Sequence, residues 1–209
     1  MAYRPTENTR RSAQAKRAAM LSAARGLVAE SGFSAATVAA IAEGSGVSVG
    51  SVYSYFDNRD TLLAEVFRDT AEYEFARVSA AVDAADSPVA RLDALIVTFA
   101  ERALRGRRLA WSLLFEPVIP AVDAQRLRLR RWYRDLGAQV IDDGVAAGVF
   151  IPQDAGVTAS ALLGAISESL VGALNPDIAP PVADDPDALL DTIRAFCFRA
   201  LGATEKERS

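Results

Sequence analysis

Val49, Gly50, Ser51, Tyr53 and Ser54 fall on the outer side of a short stretch whose inner side is Val52 and Phe56. Hydroxyls, an aromatic ring and a glycine grouped in this way suit non-covalent contact with phosphates and base edges. Gly50 has no side chain, so backbone can approach a phosphate or base edge closely. Ser48 stands just before them as an N-cap type residue, and Thr37 does the same for an earlier helix. Covalent chemistry has little to work with. The chain of 209 residues holds no histidine, which removes histidine triads, most catalytic zinc sites and histidine proton shuttles. No Gly-x-x-x-x-Gly-Lys loop and no paired-cysteine metal spacing occurs. An enzyme would need carboxylates, Lys or Tyr alone, and nothing clusters them. Neither enzymatic activity nor a metal or cofactor is expected.

The elements that must hold these residues are short helices. After Thr37, the residues Val38, Ile41 and Ala42 recur at i, i+3 and i+4, one apolar face over two turns. Gly44 and Gly46 bracket a turn, Val47 plugs it, and Ser48 opens a second helix whose Val52 and Phe56 point back to the core. This is the shape of a helix-turn-helix, in which the second helix enters the DNA major groove. The turn by itself is equally compatible with a plain helical hairpin. The flanks decide: Met20, Leu21, Ala24, Leu27, Val28 and Ser31 trace one helical stripe upstream, ending at Gly32-Phe33. Downstream, Asp57-Asn58-Arg59 looks like a fresh helix start, followed by Leu62, Leu63, Val66 and Phe67.

Across residues 11–68 this series of segments resembles the N-terminal domain of the TetR family of one-component transcriptional repressors. The resemblance implies that Thr37, Tyr55 and Arg59 reach phosphates, with Arg10, Arg11 and Lys16 contributing more loosely. It implies base reading by Ser48, Val49, Gly50, Ser51, Tyr53 and Ser54. The family often reads bases with a polar residue near the positions of Ala39 or Val49, and here both are apolar. The reading set also lacks Arg, Asn and Gln, so specificity is expected to lean on thymine methyl groups, water and DNA shape.

Charge distribution agrees. The chain has a net charge of −4, yet Arg4, Arg10, Arg11, Lys16, Arg17 and Arg25 stand against Glu7 alone in the first residues. Acidic groups gather later, among them Asp83, Asp142, Asp143 and Asp185. A basic tip on an acidic body steers one end toward phosphates. Residues 1–10 and 204–209 read as flexible tails, of which the first could become ordered on DNA.

Residues 69–203 read as a second helical domain. Ser87-Pro88 is an N-cap followed by a first-turn proline, and Leu92, Leu95, Ile96, Phe99 and Ala103 continue that helix to Gly106. A shorter piece carries Leu109, Trp111, Leu113, Leu114 and Phe115 before Pro117 and Pro120 break it. A long helix over about 122–143 is followed by helices over about 155–174 and 186–201, separated by a proline-rich loop. The fold class is therefore all-α: a three-helix DNA-binding domain with its helix-turn-helix at about 37–56, then a helical domain for effector binding and dimerisation. By this reading no apolar run reaches the length of a membrane span, no signal-peptide core follows the N-terminus, and the lone Cys197 excludes an internal disulfide. A cytoplasmic protein is expected.

By the same resemblance, the last two helices of each subunit form a four-helix bundle joining two protomers. The matching positions are Ala161, Leu162, Ala165, Ser169, Leu170, Ala173, Leu189, Ile193, Phe196 and Ala200; packing within one subunit is the alternative. A small-molecule pocket among the middle helices would be walled by Phe99, Trp111, Leu114, Phe115, Trp132, Leu136 and Ile166, unless these are ordinary core. An apolar or aromatic effector, or an amphipathic one, is implied, and nothing narrower. Arg126, Arg130 and Arg134 fall four apart on one helical face, with Arg128 and Arg131 nearby. That face reads as solvated and paired to acids, or as a site for an anionic ligand or a second DNA surface. The expected function is a dimeric repressor that binds an inverted-repeat operator in double-stranded DNA and is released by an unidentified small molecule. A ligand-blind DNA-binding regulator and a helical interaction protein with a vestigial helix-turn-helix are the alternatives.

Overall fold

Helix begins earlier than the apolar stripe suggests. In the computed structural model, which describes residues 7–177 and 185–203, α1 runs Glu7–Ser31. Residues 7–10, read above as part of a flexible tail, are its first turn. The physical reason is propensity: the run from Ser12 to Ala19 is rich in alanine and straight-chain residues, and Arg11 pairs with Glu7 one turn back at 2.8 Å. The rest of that tail, residues 1–6, lies outside the described residues, as do 204–209 and Pro180-Pro181 of the proline-rich loop.

Then follow α2 (Val38–Ser45), α3 (Val49–Tyr55), α4 (Arg59–Asp83), α5 (Pro88–Arg105), α6 (Arg107–Leu114), α7 (Pro120–Ala146), α8 (Ala155–Leu174) and α9 (Pro186–Ala200). Among the described residues there is no strand. Most boundaries are set by local chemistry. Side-chain oxygens of Thr37, Ser48, Asn58, Ser87, Asp154 and Asp185 each accept a backbone N–H at a helix start. Pro88, Pro120 and Pro186 sit in first turns, where the missing N–H costs nothing. Pro120 thus starts α7 as well as ending the segment before it, and α7 extends past the expected range at both ends.

One apolar core runs through the chain. Met20, Ala24 and Val28 of α1 meet Ile41, Val52, Phe56, Leu62 and Phe67, all buried, and Phe33 stacks on Phe67 at 6.0 Å. Helix α4 carries this core onward, packing along α5 and α7; α7 in turn packs on α8, and α5 on α9. On α5 the buried stripe is Leu92, Leu95, Ile96, Phe99 and Ala103, with each large apolar side chain worth about 1.5–3 kcal/mol.

Helix α8 corrects one expectation. Its 20 residues carry a single charge, Glu168, and are long and apolar enough by composition to cross a membrane. The inward positions Ala155, Ala159, Leu162, Ile166, Leu170 and Leu174 are core. Gly, Ser and Ala separate the large apolar residues along this run, so it lacks the unbroken Leu/Ile/Val character of an evident span.

Candidate DNA-reading face and effector cavity

The turn between α2 and α3 is closed by Gly46, whose φ of 68° is left-handed and favours glycine. Its N–H and that of Val47 return to the carbonyls of Glu43 and Ala42 at 3.1 and 3.0 Å. Thr37 Oγ1 accepts from the Ala40 N–H at 3.1 Å, and Ser48 Oγ from the Ser51 N–H at 3.2 Å. Ser48 and Ser51 also share a hydroxyl hydrogen bond of 2.9 Å, and Ser54 Oγ donates to the Gly50 carbonyl at 3.0 Å. The three serines are thus tied into the helix they belong to. Val49 and Tyr53, 45% and 53% exposed, are the large side chains left on the outer face. At Gly50 a β-carbon would meet only Ser48 Oγ, at 3.9 Å, so nothing inside the chain requires glycine there.

The remaining positions divide. Arg10, Arg11 and Lys16 are exposed on the first half of α1. Tyr55 is half-buried against the core. Arg59 is held inward: its Nε donates to the Ala36 carbonyl at 3.0 Å and its Nη2 to the Phe33 carbonyl at 2.9 Å. Arg59 therefore fastens the α1–α2 turn to the start of α4, an arrangement no local pattern announces. Arg17, absent from the expected set, pairs with Glu65 at 2.5 Å and lies over the Phe56 ring.

The same turn is gripped from the other side. Gly32 has a φ of 86° and leaves no room for a β-carbon, which would land on the Arg108 guanidinium and the Glu116 carboxylate. Arg108 Nη2 donates to the Ser31 carbonyl at 2.7 Å, and Glu116 Oε1 accepts from the Ser34 N–H at 3.4 Å. Glu116 is buried, and its Oε2 has no hydrogen-bond partner. Arg108 lies in the first turn of α6 and Glu116 two residues past its end, while Leu109, Ala110, Leu113 and Leu114 of the same helix line a cavity of about 80 Å³.

That cavity lies among α4, α5, α6 and α7, with Val78, Phe99, Ala103, Leu129 and Tyr133 completing its walls. Tyr133 meets Phe75 and Phe99 edge-on, with ring centroids 5.2 and 5.3 Å apart. Burial pushes its phenol well above the usual tyrosine range, so it stays neutral. Glu74 and Arg102, paired at 2.6 Å, form a polar edge. Of the expected pocket residues, Phe99 and Leu114 line the cavity, Phe115 lines an adjoining groove, and Ile166 lines a tighter space between α5 and α8. Trp111, Trp132 and Leu136 do not line it. Trp111 packs on Phe115 and Trp132 on Phe75, and Leu136 packs on the core. Leu129 and Tyr133, one turn apart on α7, take their place. Their i, i+4 spacing was legible, but which stripe of α7 faces the cavity was not.

The expected dimer residues also divide. Ala161, Ser169, Phe196 and Ala200 are exposed, and Ala165, Ala173 and Leu189 are half-buried. Leu162, Leu170 and Ile193 point into their own subunit. The helical period explains this: on α8 the inward stripe passes through 162, 166 and 170, leaving 157, 161 and 165 outside. Cys197 is buried in the core, and burial pushes its thiol up to about 11.

Residues 20–66 match the family model described as bacterial regulatory proteins, tetR family, and residues 85–170 match a tetracyclin repressor-like C-terminal domain. The repressor KstR2 of Mycolicibacterium smegmatis is 29% identical over 143 residues, covering 66% of this chain and 68% of that protein. KstR2 of Rhodococcus jostii is 30% identical over 139 residues, 65% and 68% of the two chains. Among solved structures, the regulator FadR from Bacillus subtilis in complex with stearoyl-CoA superposes with a TM-score of 0.70 at 18% identity, over 86% of this chain and 96% of that one. RolR with resorcinol superposes at 0.67 with 21% identity, over 95% and 93%. At these identities the superpositions speak for the fold.

Proposed function

The chain belongs to the tetR family of bacterial regulatory proteins, and from that premise we propose that this DNA-binding transcriptional regulator is a homodimeric, cytoplasmic repressor. It holds an inverted-repeat operator and is released by a small molecule bound among α4–α7. Division of labour follows α4: residues 11–68 read DNA, and 69–203 bind the effector and the second subunit.

The observation that carries this reading is the double attachment of α6. One side of α6 walls the cavity. Arg108 in its first turn and Glu116 just past its end hold the turn that enters the helix-turn-helix. A ligand that fits the cavity only when α6 has shifted favours the shifted state, and that state carries the two recognition helices out of register with successive grooves. On the DNA side, Val49, Gly50 and Tyr53 reach base edges. Ser48, Ser51 and Ser54 act through their remaining lone pairs and bridging water, while Thr37, Tyr55, Arg10, Arg11 and Lys16 meet the backbone. Arg59 contributes by fixing the turn.

Pairing of subunits is supported by α8. Only 28% of its most apolar 18-residue stretch is buried, and Val157, 67% exposed, stands beside Ala161 and Ala165. On α9, Phe196 is 47% exposed. A second copy laid across these faces covers them, and two half-sites supply the specificity one recognition helix lacks.

Selection of bound sequences from a random duplex pool tests this reading. Recovery of an inverted repeat is expected. Recovery of nothing above background, from protein shown to be folded, would refute it.

A further inference from the structure

Behind the apolar cavity, between α7 and α8, lies a groove of about 550 Å³. Its inner wall is shared with the cavity: Phe99, Leu114, Leu129 and Tyr133 line both. Its outer wall is different in kind. Arg126, Arg130, Arg131 and Arg134 line it against one carboxylate, Glu168. In a chain of net charge −4 such a concentration of positive charge is unusual. It is also poorly neutralised. Arg134 pairs with its neighbour Asp135, but Arg130 and Arg131 make no ion pair among the described residues. Burial holds the Arg126 guanidinium below the usual arginine range; Asp123 opposes that shift and the charge of Arg130 adds to it. Unpaired guanidinium groups at the mouth of an apolar cavity suit a planar or tetrahedral anion, which they bind through paired N–H donors. A neutral phenol such as the one bound by RolR has no use for them; a headgroup such as that of stearoyl-CoA does.

Arg126 links this groove to the DNA-binding domain. Its Nε donates to the Leu113 carbonyl at 2.9 Å, and its Nη2 to the carbonyls of Ser112 and Glu116 at 3.2 and 2.7 Å. One guanidinium thus closes the C-terminal end of α6 and holds Glu116, the residue whose carboxylate meets the Ser34 N–H. An anion arriving beside Arg126 competes with those three carbonyls.

We propose that the α7–α8 groove seats an anionic head group, phosphate or carboxylate, of an amphiphilic effector whose apolar end fills the adjoining cavity, and that Arg126 relays its arrival through Glu116. This rests on the cavity being the effector site, and deepens that reading by naming the ligand class.

Calorimetric titration of the full-length protein with octanoyl-CoA, octanoate and octanol tests it, since one tail carries three heads. The charged heads are expected to bind roughly tenfold or more tighter than octanol. Preference for octanoyl-CoA assigns a phosphate head, and preference for octanoate a carboxylate. The R130Q/R131Q double variant should lose that excess and leave octanol unchanged. Equal binding of all three, or an excess indifferent to the double variant, overturns the groove while leaving the cavity reading standing. No binding by any of them overturns both. A double variant that loses operator affinity without ligand places these arginines on DNA and also overturns the proposal. For the relay, R126K should lower the operator affinity of the ligand-free protein toward that of the liganded one. Unchanged affinity in a folded R126K protein overturns that part.

Discussion

Replacing Arg59 with alanine separates two roles for one guanidinium. In the structure it donates to the carbonyls of Ala36 and Phe33. A hydrogen bond from a charged donor is worth about 1.5–3 kcal/mol, so two give about 3–6 kcal/mol as an upper bound. Arg59 is only half-buried, and water can reach part of what the side chain leaves. We therefore expect a loss of about 2 kcal/mol. For a chain of this size each kcal/mol lowers Tm by about 2–4 °C, so the unfolding transition should fall by about 4–8 °C. Arg59→Lys keeps the charge and can restore one bond, so it should fall between. Thermal unfolding followed by circular dichroism reads the stability, and fluorescence anisotropy on the selected operator reads the affinity. A clamp predicts that both fall together and that the salt dependence of binding keeps its slope. If Arg59→Ala instead leaves Tm within about 1 °C and lowers the salt slope by about one unit, the guanidinium serves a phosphate and the clamp argument fails.

Tyr53→Ala should weaken operator binding by about tenfold with stability changed by less than about 0.5 kcal/mol, because the ring is exposed and unused by the fold; anisotropy and melting on the same sample check both. Phe196→Glu should convert the dimer to a folded monomer in sedimentation velocity, since it sets a charge on the face assigned to the partner; a dimer that persists would move the interface elsewhere. The Cys197 thiol, raised from 9.0 to about 11 by burial, stays neutral in the folded protein over a range where the unfolded chain ionises. Its contribution is complete below pH 9 and lost as pH rises from 9 to 11, by about 3 kcal/mol at most. Denaturant unfolding of the wild-type protein and Cys197→Ala across that window should show the steeper decline in the wild type.

What the sequence revealed follows the range of the forces involved. Caps at Thr37, Ser48 and Asn58 and the left-handed Gly46 are decided within four residues, so they can be read from the chain. The cavity walls are decided between α4, α5, α6 and α7. Tyr133 and Trp132 are neighbours in sequence yet point about 100° apart on the helix, so an aromatic tally cannot choose between them. Arg59 sits at the right place for a phosphate contact in every local respect. Only the fold brings the carbonyls of Phe33 and Ala36 within its reach. On α8 the mixture of Leu, Ile and Ala satisfies both an inward and an outward stripe, and Leu162 and Leu170 went to the inward one, as Ile193 did on α9.

The hold on the Gly32 turn is addressed to main-chain atoms. Arg108 takes the Ser31 carbonyl and Glu116 the Ser34 N–H, groups that any residue at those positions offers, proline at 34 excepted. The regulatory half therefore recognises the path of the backbone and is blind to the side chains that read DNA. Such a joint behaves as a standard coupling. A reading head from a relative, spliced in with glycine kept at position 32, should still obey this protein's effector, and the operator vocabulary could diverge without retuning the signal that controls it.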